Sequence, residues 1–227
     1  MVRSSTAKPD SESHEADAGE ERPYHHGALP QALMLAAETV LKRDGLRGLT
    51  LRAIAREAGV SHTAPKHHFG DVAGILSELA AVGHRRMAAA MQTLALAQPA
   101  GSGRRRAIAL GYVRFACDNP DLFRLMSRDE LLDFGRPALI EALRGSAAAL
   151  AGVFDAKPGE GPNPFTGIDD GQAMRMTAAW AYVHGLAMLL VDRQLDSIAA
   201  ATGGLQDPVA LVEATIERIS LVLDAPA

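Results

Sequence analysis

The stretch that most limits how this chain can fold is LTLRAIAREAGVSHTAPKHHF, Leu49 to Phe69. Thr50 is placed to cap a helix, since its hydroxyl can accept a hydrogen bond from a free amide of the first turn. Leu51, Ile54, Ala55 and Ala58 then recur at i, i+3, i+4 and i+7, which gives that helix one apolar face. Gly59 ends it, and Val60 can plug the angle that follows. Ser61 is expected to cap a second, very short helix. Counted from that cap, Pro65 sits at the fourth helical position and removes one backbone hydrogen bond. Two short helices meeting across a glycine turn are the arrangement of a helix–turn–helix. A helical hairpin packed in a core has the same pattern.

The rest of the chain also reads as helix, so the fold class is all-α. Hydrophobic residues make up 48% and aromatic residues only 4%, and the Ala- and Leu-rich composition favours helices over strands. A first helix is predicted over Leu29–Asp44, with Leu33, Ala36, Ala37, Val40 and Leu41 on one face and Gly45 as its stop. Asp71 to Ala97 reads as one long helix with Ile75, Leu76, Leu79, Met87, Met91 and Leu94 inward. It would reach roughly 40 Å and so suits a connector between two modules. QPAGSG (Gln98–Gly103) breaks the pattern, and helices follow over Arg104–Cys117, from Asn119-Pro120, and over Pro137–Phe154 with Leu139, Ile140, Leu143, Leu150 and Phe154 inward. After a Gly/Pro-rich loop (Ala156–Gly167), helices are predicted over Asp169–Leu195 and Asp207–Leu223. The expected division is a disordered acidic tail over 1–23, a three-helix head with the helix–turn–helix over 24–72, and a larger helical domain over 73–227.

The net charge of −4 at first argues against a nucleic-acid partner, but its distribution is uneven. Residues 24–72 carry six basic and four acidic side chains and five of the eight histidines, so they are the one cationic stretch. A single cysteine, Cys117, permits no intrachain disulfide, which fits a reducing cytosol. No uninterrupted apolar run of the ~18 residues a membrane span needs is present, so a cytoplasmic protein without a membrane partner is expected.

Within the helix–turn–helix, His62 and Thr63 stand where a second helix would reach base edges, with Lys66 and His67 one turn on. Thr50 and Ser61 open helices, whose N-termini attract phosphate, and Arg52 adds a cation beside Thr50. His62, His67 and His68 lack a cysteine or carboxylate to complete a ligand set, so no metal is expected, and no other cofactor. Neither Asp129-Glu130 nor Asp169-Asp170 forms a nucleophile–base set, so no enzyme is expected. Trp180, His184 and Met188 fall on one helical face and are candidate pocket residues, with Tyr112, Phe115 and Met126. Core or subunit-interface packing would produce the same spacing.

YHHGAL (Tyr24–Leu29), the Leu49–Phe69 stretch and GILSELA (Gly74–Ala80), in this order and spacing, resemble the N-terminal domain of TetR-family transcriptional regulators. WAYVHGLAMLL (Trp180–Leu190) and NPDLFRLM (Asn119–Met126) resemble one C-terminal subgroup of that family with a Trp-His-Gly signature. The resemblance implies a homodimer joined through its last two helices. It also implies a head that binds double-stranded operator DNA, and a C-terminal pocket for an unknown small-molecule effector whose binding releases the DNA. Carried over by position, Thr50 and Ser61 match phosphate-contacting caps; His62, Thr63 and His67 match positions that face bases; His68 matches one near the backbone. The family usually has Tyr where this chain has Lys66 and Lys where it has Val72. The expected function is a ligand-responsive repressor released from a pseudo-palindromic site by a small hydrophobic effector. The alternative is a helical small-molecule-binding protein whose operator recognition is weakened or lost.

Overall fold

The computed structural model describes residues 28–151 and 166–223. The predicted tail, Tyr24–Gly27, most of the Ala156–Gly167 loop and Phe154 lie outside the described residues. The elements are α1 (Ala28–Gly48), α2 (Leu51–Glu57), α3 (Ala64–Phe69), α4 (Val72–Leu96), α5 (Ser102–Asp118), α6 (Pro120–Met126), a 3-10 turn (Asp129–Leu131), α7 (Pro137–Ala151), α8 (Asp170–Val191), α9 (Asp196–Ala200) and α10 (Pro208–Leu223). Among the described residues there is no strand.

α1 buries Leu33, Ala36, Ala37, Val40 and Leu41, the predicted stripe. Gly45, at φ 68°, interrupts it where a stop was expected, because a residue without a β-carbon enters that region freely. α4 starts where Asp71 Oδ1 accepts from the Gly74 amide at 2.8 Å. It buries Ile75, Leu76, Leu79, Met87 and Met91, but Leu94 only partly. It packs on α1 and α3 of the first three helices and on α5, α6 and α7. Buried residues from Leu33 in α1 to Ile216 in α10 form one connected cluster, so the core runs through α4 without a break.

Local signals set the later boundaries as well. α8 opens with a reciprocal capping box: Asp169 Oδ1 accepts from the Gln172 amide (2.7 Å), and Gln172 Oε1 accepts from the Asp169 amide (3.2 Å). The Val209 and Ala210 amides donate to the Asp207 carboxylate, each at 3.2 Å, opening α10. Two expectations need correction. Ile140 is 38% exposed, because it lies about 100° round the helix from the buried Leu139. The helix predicted to run to Leu195 stops at Val191; Arg193 takes φ 58° and bonds Asp196 at 2.9 Å, turning the chain into the unforeseen α9.

α8 is long and apolar enough to cross a membrane by length and composition. Asp170, Gln172 and Arg175 interrupt its apolar run, and it packs on α5 and α10.

Candidate DNA-reading face and ligand cavity

The head presents its polar residues outward because a few apolar ones are held inward. Thr50 Oγ1 accepts from the Ala53 amide at 3.1 Å and starts α2. Gly59, at φ 66°, makes the turn. In α3 the inward residues are Pro65 and Phe69, four apart and both buried. Thr50, Arg52, Ser61, His62, Thr63, Lys66, His67 and His68 are all exposed on this one segment. The His67 and His68 rings meet edge to face at 5.2 Å.

The start of α3 differs from expectation. Ser61 is not its cap; α3 begins at Ala64 after Thr63. The Ser61 hydroxyl lies 2.9 Å from the Thr63 hydroxyl and 3.4 Å from the Thr63 amide, inside the preceding turn. Proline explains the shift. With Ala64 as first residue, Pro65 falls in the first turn, where its missing N–H costs no helical bond.

Ion pairs join the head internally and to α4. Arg43 holds Glu57 across α1 and α2 at 2.6 Å. Arg86 on α4 makes two bonds to the Glu38 carboxylate, at 2.7 and 2.8 Å, and Lys42 adds a third contact at 3.0 Å. The Arg86 bonds hold the Glu38 carboxyl down at about 2.

A cavity of about 660 Å³ lies among α4, α5, α6, α7 and α8. Its walls are mostly apolar: Met87, Met91, Phe123, Met126, Leu143, Leu150, Met176 and Trp180. Two hydroxyl–imidazole pairs lie on its wall. The Tyr112 hydroxyl is 2.9 Å from His184 Nδ1, and His84 Nδ1 is 3.0 Å from Ser146 Oγ. Ser146 also donates to the Leu143 carbonyl (3.0 Å). That uses its one proton, so His84 carries a proton on Nδ1 and leaves Nε2 as an acceptor. Burial lowers the His84 pKa to about 4, lowers that of His184, and raises Tyr112 to about 12. The walls therefore offer neutral hydrogen-bonding groups near neutral pH, with Asp129 at one edge.

Tyr112, Met126, Trp180 and His184 stand on the cavity wall. Phe115 and Met188 do not. Phe115 is 3% exposed and packs its ring on Phe123, while Met188 is partly buried against the core one turn beyond His184. The sequence reading missed His84, Phe123, Ser146, Met176 and Thr177. His84, Met87 and Met91 follow i, i+3, i+7, a spacing indistinguishable from an ordinary core stripe. Cys117 is half-buried, and burial followed by Asp118 raises its thiol pKa, away from a reactive thiolate. Among the described residues no group of three metal-ligating side chains forms.

Two family models match this chain. One, described as bacterial regulatory proteins, tetR family, covers residues 33–79; the other, described as tetracyclin repressor-like, C-terminal domain, covers residues 105–219. No curated protein matches. Among solved structures, a protein with unknown function from Rhodococcus sp. RHA1 is 31% identical at a TM-score of 0.64, over 87% of this chain and 98% of its own. The TetR family transcriptional regulator PfmR from Thermus thermophilus shares the fold at 18% identity and a TM-score of 0.56, over 87% of this chain and 95% of its own. So does a bacterial regulatory protein in the tetR family from Rhodococcus RHA1, at 17% identity and 0.59, over 88% and 98%. With the C-terminal model matching half of its length and the N-terminal model matching its helix–turn–helix, this chain belongs to the TetR family of bacterial transcriptional regulators.

Proposed function

We propose that the chain is a homodimeric, cytoplasmic repressor whose operator affinity is set by a small apolar molecule in the α4–α8 cavity. The observation that carries this reading is that one helix, α4, serves both sites. It packs on α1 and α3 of the head, with Arg86 holding Glu38, and it supplies His84, Met87 and Met91 to the cavity wall. A ligand that changes how α4 lies against α5 and α7 therefore changes where the head stands, provided it binds the two arrangements unequally. On this reading residues 24–72 form the reading unit and residues 73–227 the ligand and dimer unit.

α3 of each subunit would enter a major groove, in successive turns of a pseudo-palindromic site. His62, Thr63 and His67 face bases; Thr50, Arg52, Ser61, Lys66 and His68 hold the backbone. The dimer contact falls on α8 and α10. Supporting this, α8 leaves Met174 (68%) and Leu189 (36%) exposed on the side that carries Gly185, where a β-carbon would meet no atom within 4 Å. Exposed apolar side chains along one helix are what a second subunit would cover.

The test is selection of bound duplexes from a random pool by the purified protein, followed by anisotropy on the enriched sequence. Binding at least ~10³-fold tighter than to a scrambled duplex, by a dimer in size-exclusion chromatography, is expected. No enriched sequence, or a monomer bound to DNA, overturns the reading.

A further inference from the structure

We propose that Arg136 is the positioning residue through which the cavity acts on the reading helix; this rests on the reading of α3 as that helix and of the cavity as the effector site. α3 ends at Phe69, whose carbonyl has no helical amide left to accept from. The Arg136 guanidinium donates to that carbonyl oxygen from 67 residues away. A cation at this end of a helix also meets the negative end of its peptide dipoles. Gly74 makes room for the contact. A β-carbon there would collide with both the Phe69 carbonyl oxygen and the Arg136 guanidinium.

Arg136 ends a short strap, residues 127–136, that starts on the cavity wall at Ser127 and Asp129. The strap is pinned to α4 midway: the Asp133 amide donates to Ser77 Oγ at 2.8 Å, and the fully buried Ser77 hydroxyl donates to the Ala73 carbonyl at 2.7 Å. Directly after Arg136 the chain enters α7, which returns to the cavity with Leu143, Ser146 and Ala147. One end of the strap thus borders the cavity, the other leads into α7, which reaches the cavity wall at Leu143, and its last residue caps α3. The guanidinium also lies 3.6 Å from Glu78 and 3.6 Å from Asp133. Its Nε is buried without a hydrogen-bond partner, so the strap holds the side chain with fewer bonds than it can make. A ligand that pushes α7 or the 3-10 turn outward withdraws the cap from Phe69 and loosens the reading helix.

The test needs neither the effector nor DNA. Ala147→Phe and, as an independent variant, Ala173→Met place extra side-chain volume in the cavity as built-in occupants. Amide exchange is followed in peptides covering residues 64–70, with α10 peptides as the measure of global opening. Arg136→Gln is expected to speed exchange of the α3 amides roughly tenfold while α10 stays unchanged. Each cavity variant is expected to speed α3 in the parent chain and to add less than about twofold in the Arg136→Gln background. Arg136→Lys, which keeps the charge without the planar fork, is expected to restore part of the protection. Equal effects of the cavity variants with and without Arg136, or an α3 indifferent to Arg136→Gln, overturn the proposal. Coupled exchange in a protein that enriches no DNA sequence would support the link and sink the regulator reading instead.

Discussion

The Tyr112 hydroxyl lies 2.9 Å from His184 Nδ1, so a side chain of α5 and one of α8 meet across 72 residues of sequence at the cavity wall. Both groups are partly buried, and neither is free to trade this bond for water at no cost. Tyr112→Phe removes the hydroxyl and leaves the imidazole nitrogen short of a partner. The expected loss is about 1–2 kcal/mol of folding stability in urea, with m unchanged. The Trp180 indole packs near His184, with centroids 6.1 Å apart, and Trp180 is the chain's only tryptophan. Its emission should shift in the same variant. Unchanged stability and emission would show that the bond is not made in solution.

His84 sets an acid limit on stability. Its folded pKa, lowered by burial, is about 4, against an ordinary 6.5. Above pH 6.5 the imidazole is neutral in both folded and unfolded chains, and stability does not depend on it. As pH falls from 6.5 towards 4, the unfolded chain takes up a proton that the folded one refuses, so stability declines through this window. At about 1.4 kcal/mol per unit, the decline totals roughly 3 kcal/mol. Glu38, whose folded pKa is held at about 2 by Arg86, acts lower, between 4.5 and 2. Thermal melts of His84→Gln should reduce the slope between pH 6.5 and 4, leaving the share of His184, whose pKa burial also lowers, and keep the lower one. A slope unchanged by the substitution would assign it to other groups.

Lys66 is exposed on α3 and is read here as a phosphate contact. Lys66→Ala should weaken binding to matched and scrambled duplexes alike and reduce the slope of log K against log salt by roughly 1 per subunit. His62→Ala and Thr63→Ala should instead relax sequence preference with little change in that slope. If Lys66→Ala changes preference and leaves the slope alone, the side chain is reading a base.

α4 and α5 approach closely at Gly111. A β-carbon there would sit 2.7 Å from Met91 Cα and 2.8 Å from the Ala90 carbonyl oxygen. Backbone cannot step aside as a flexible side chain can. Gly111→Ala is therefore expected to cost about 1–3 kcal/mol, even though alanine is the better helix former, with the loss read from urea unfolding. A neutral or stabilising outcome would mean that the two helices separate freely at this point.

Much of the fold was legible because its causes are local. Thr50, Asp71, Asp169 and Asp207 each accept bonds from amides two or three residues ahead, and a single glycine interrupts α1 at Gly45. The stripes of α1 and α4 follow from helical period alone. Proline chemistry moved the cap of α3 from Ser61 to Thr63, a local effect that the capping signal at Ser61 obscured. The segment Leu49–Phe69 thereby determined by itself that a short helix would turn its polar side chains outward, since Pro65 and Phe69 had to turn in.

The cavity and its link to the head were decided elsewhere. His84 meets Ser146 across 62 residues, Tyr112 meets His184 across 72, and Arg136 reaches Phe69 across 67. Helical period says which face of a helix is apolar, but not whether that face meets packed side chains or space. Met87 and Met91 have the same spacing in either case, and Phe115 and Met188 looked as well placed as Tyr112 and Trp180. Only the relative placement of α4 to α8 separates a core residue from a cavity wall, because that placement is set by close contacts such as Gly111 against Met91, made between residues distant in the chain.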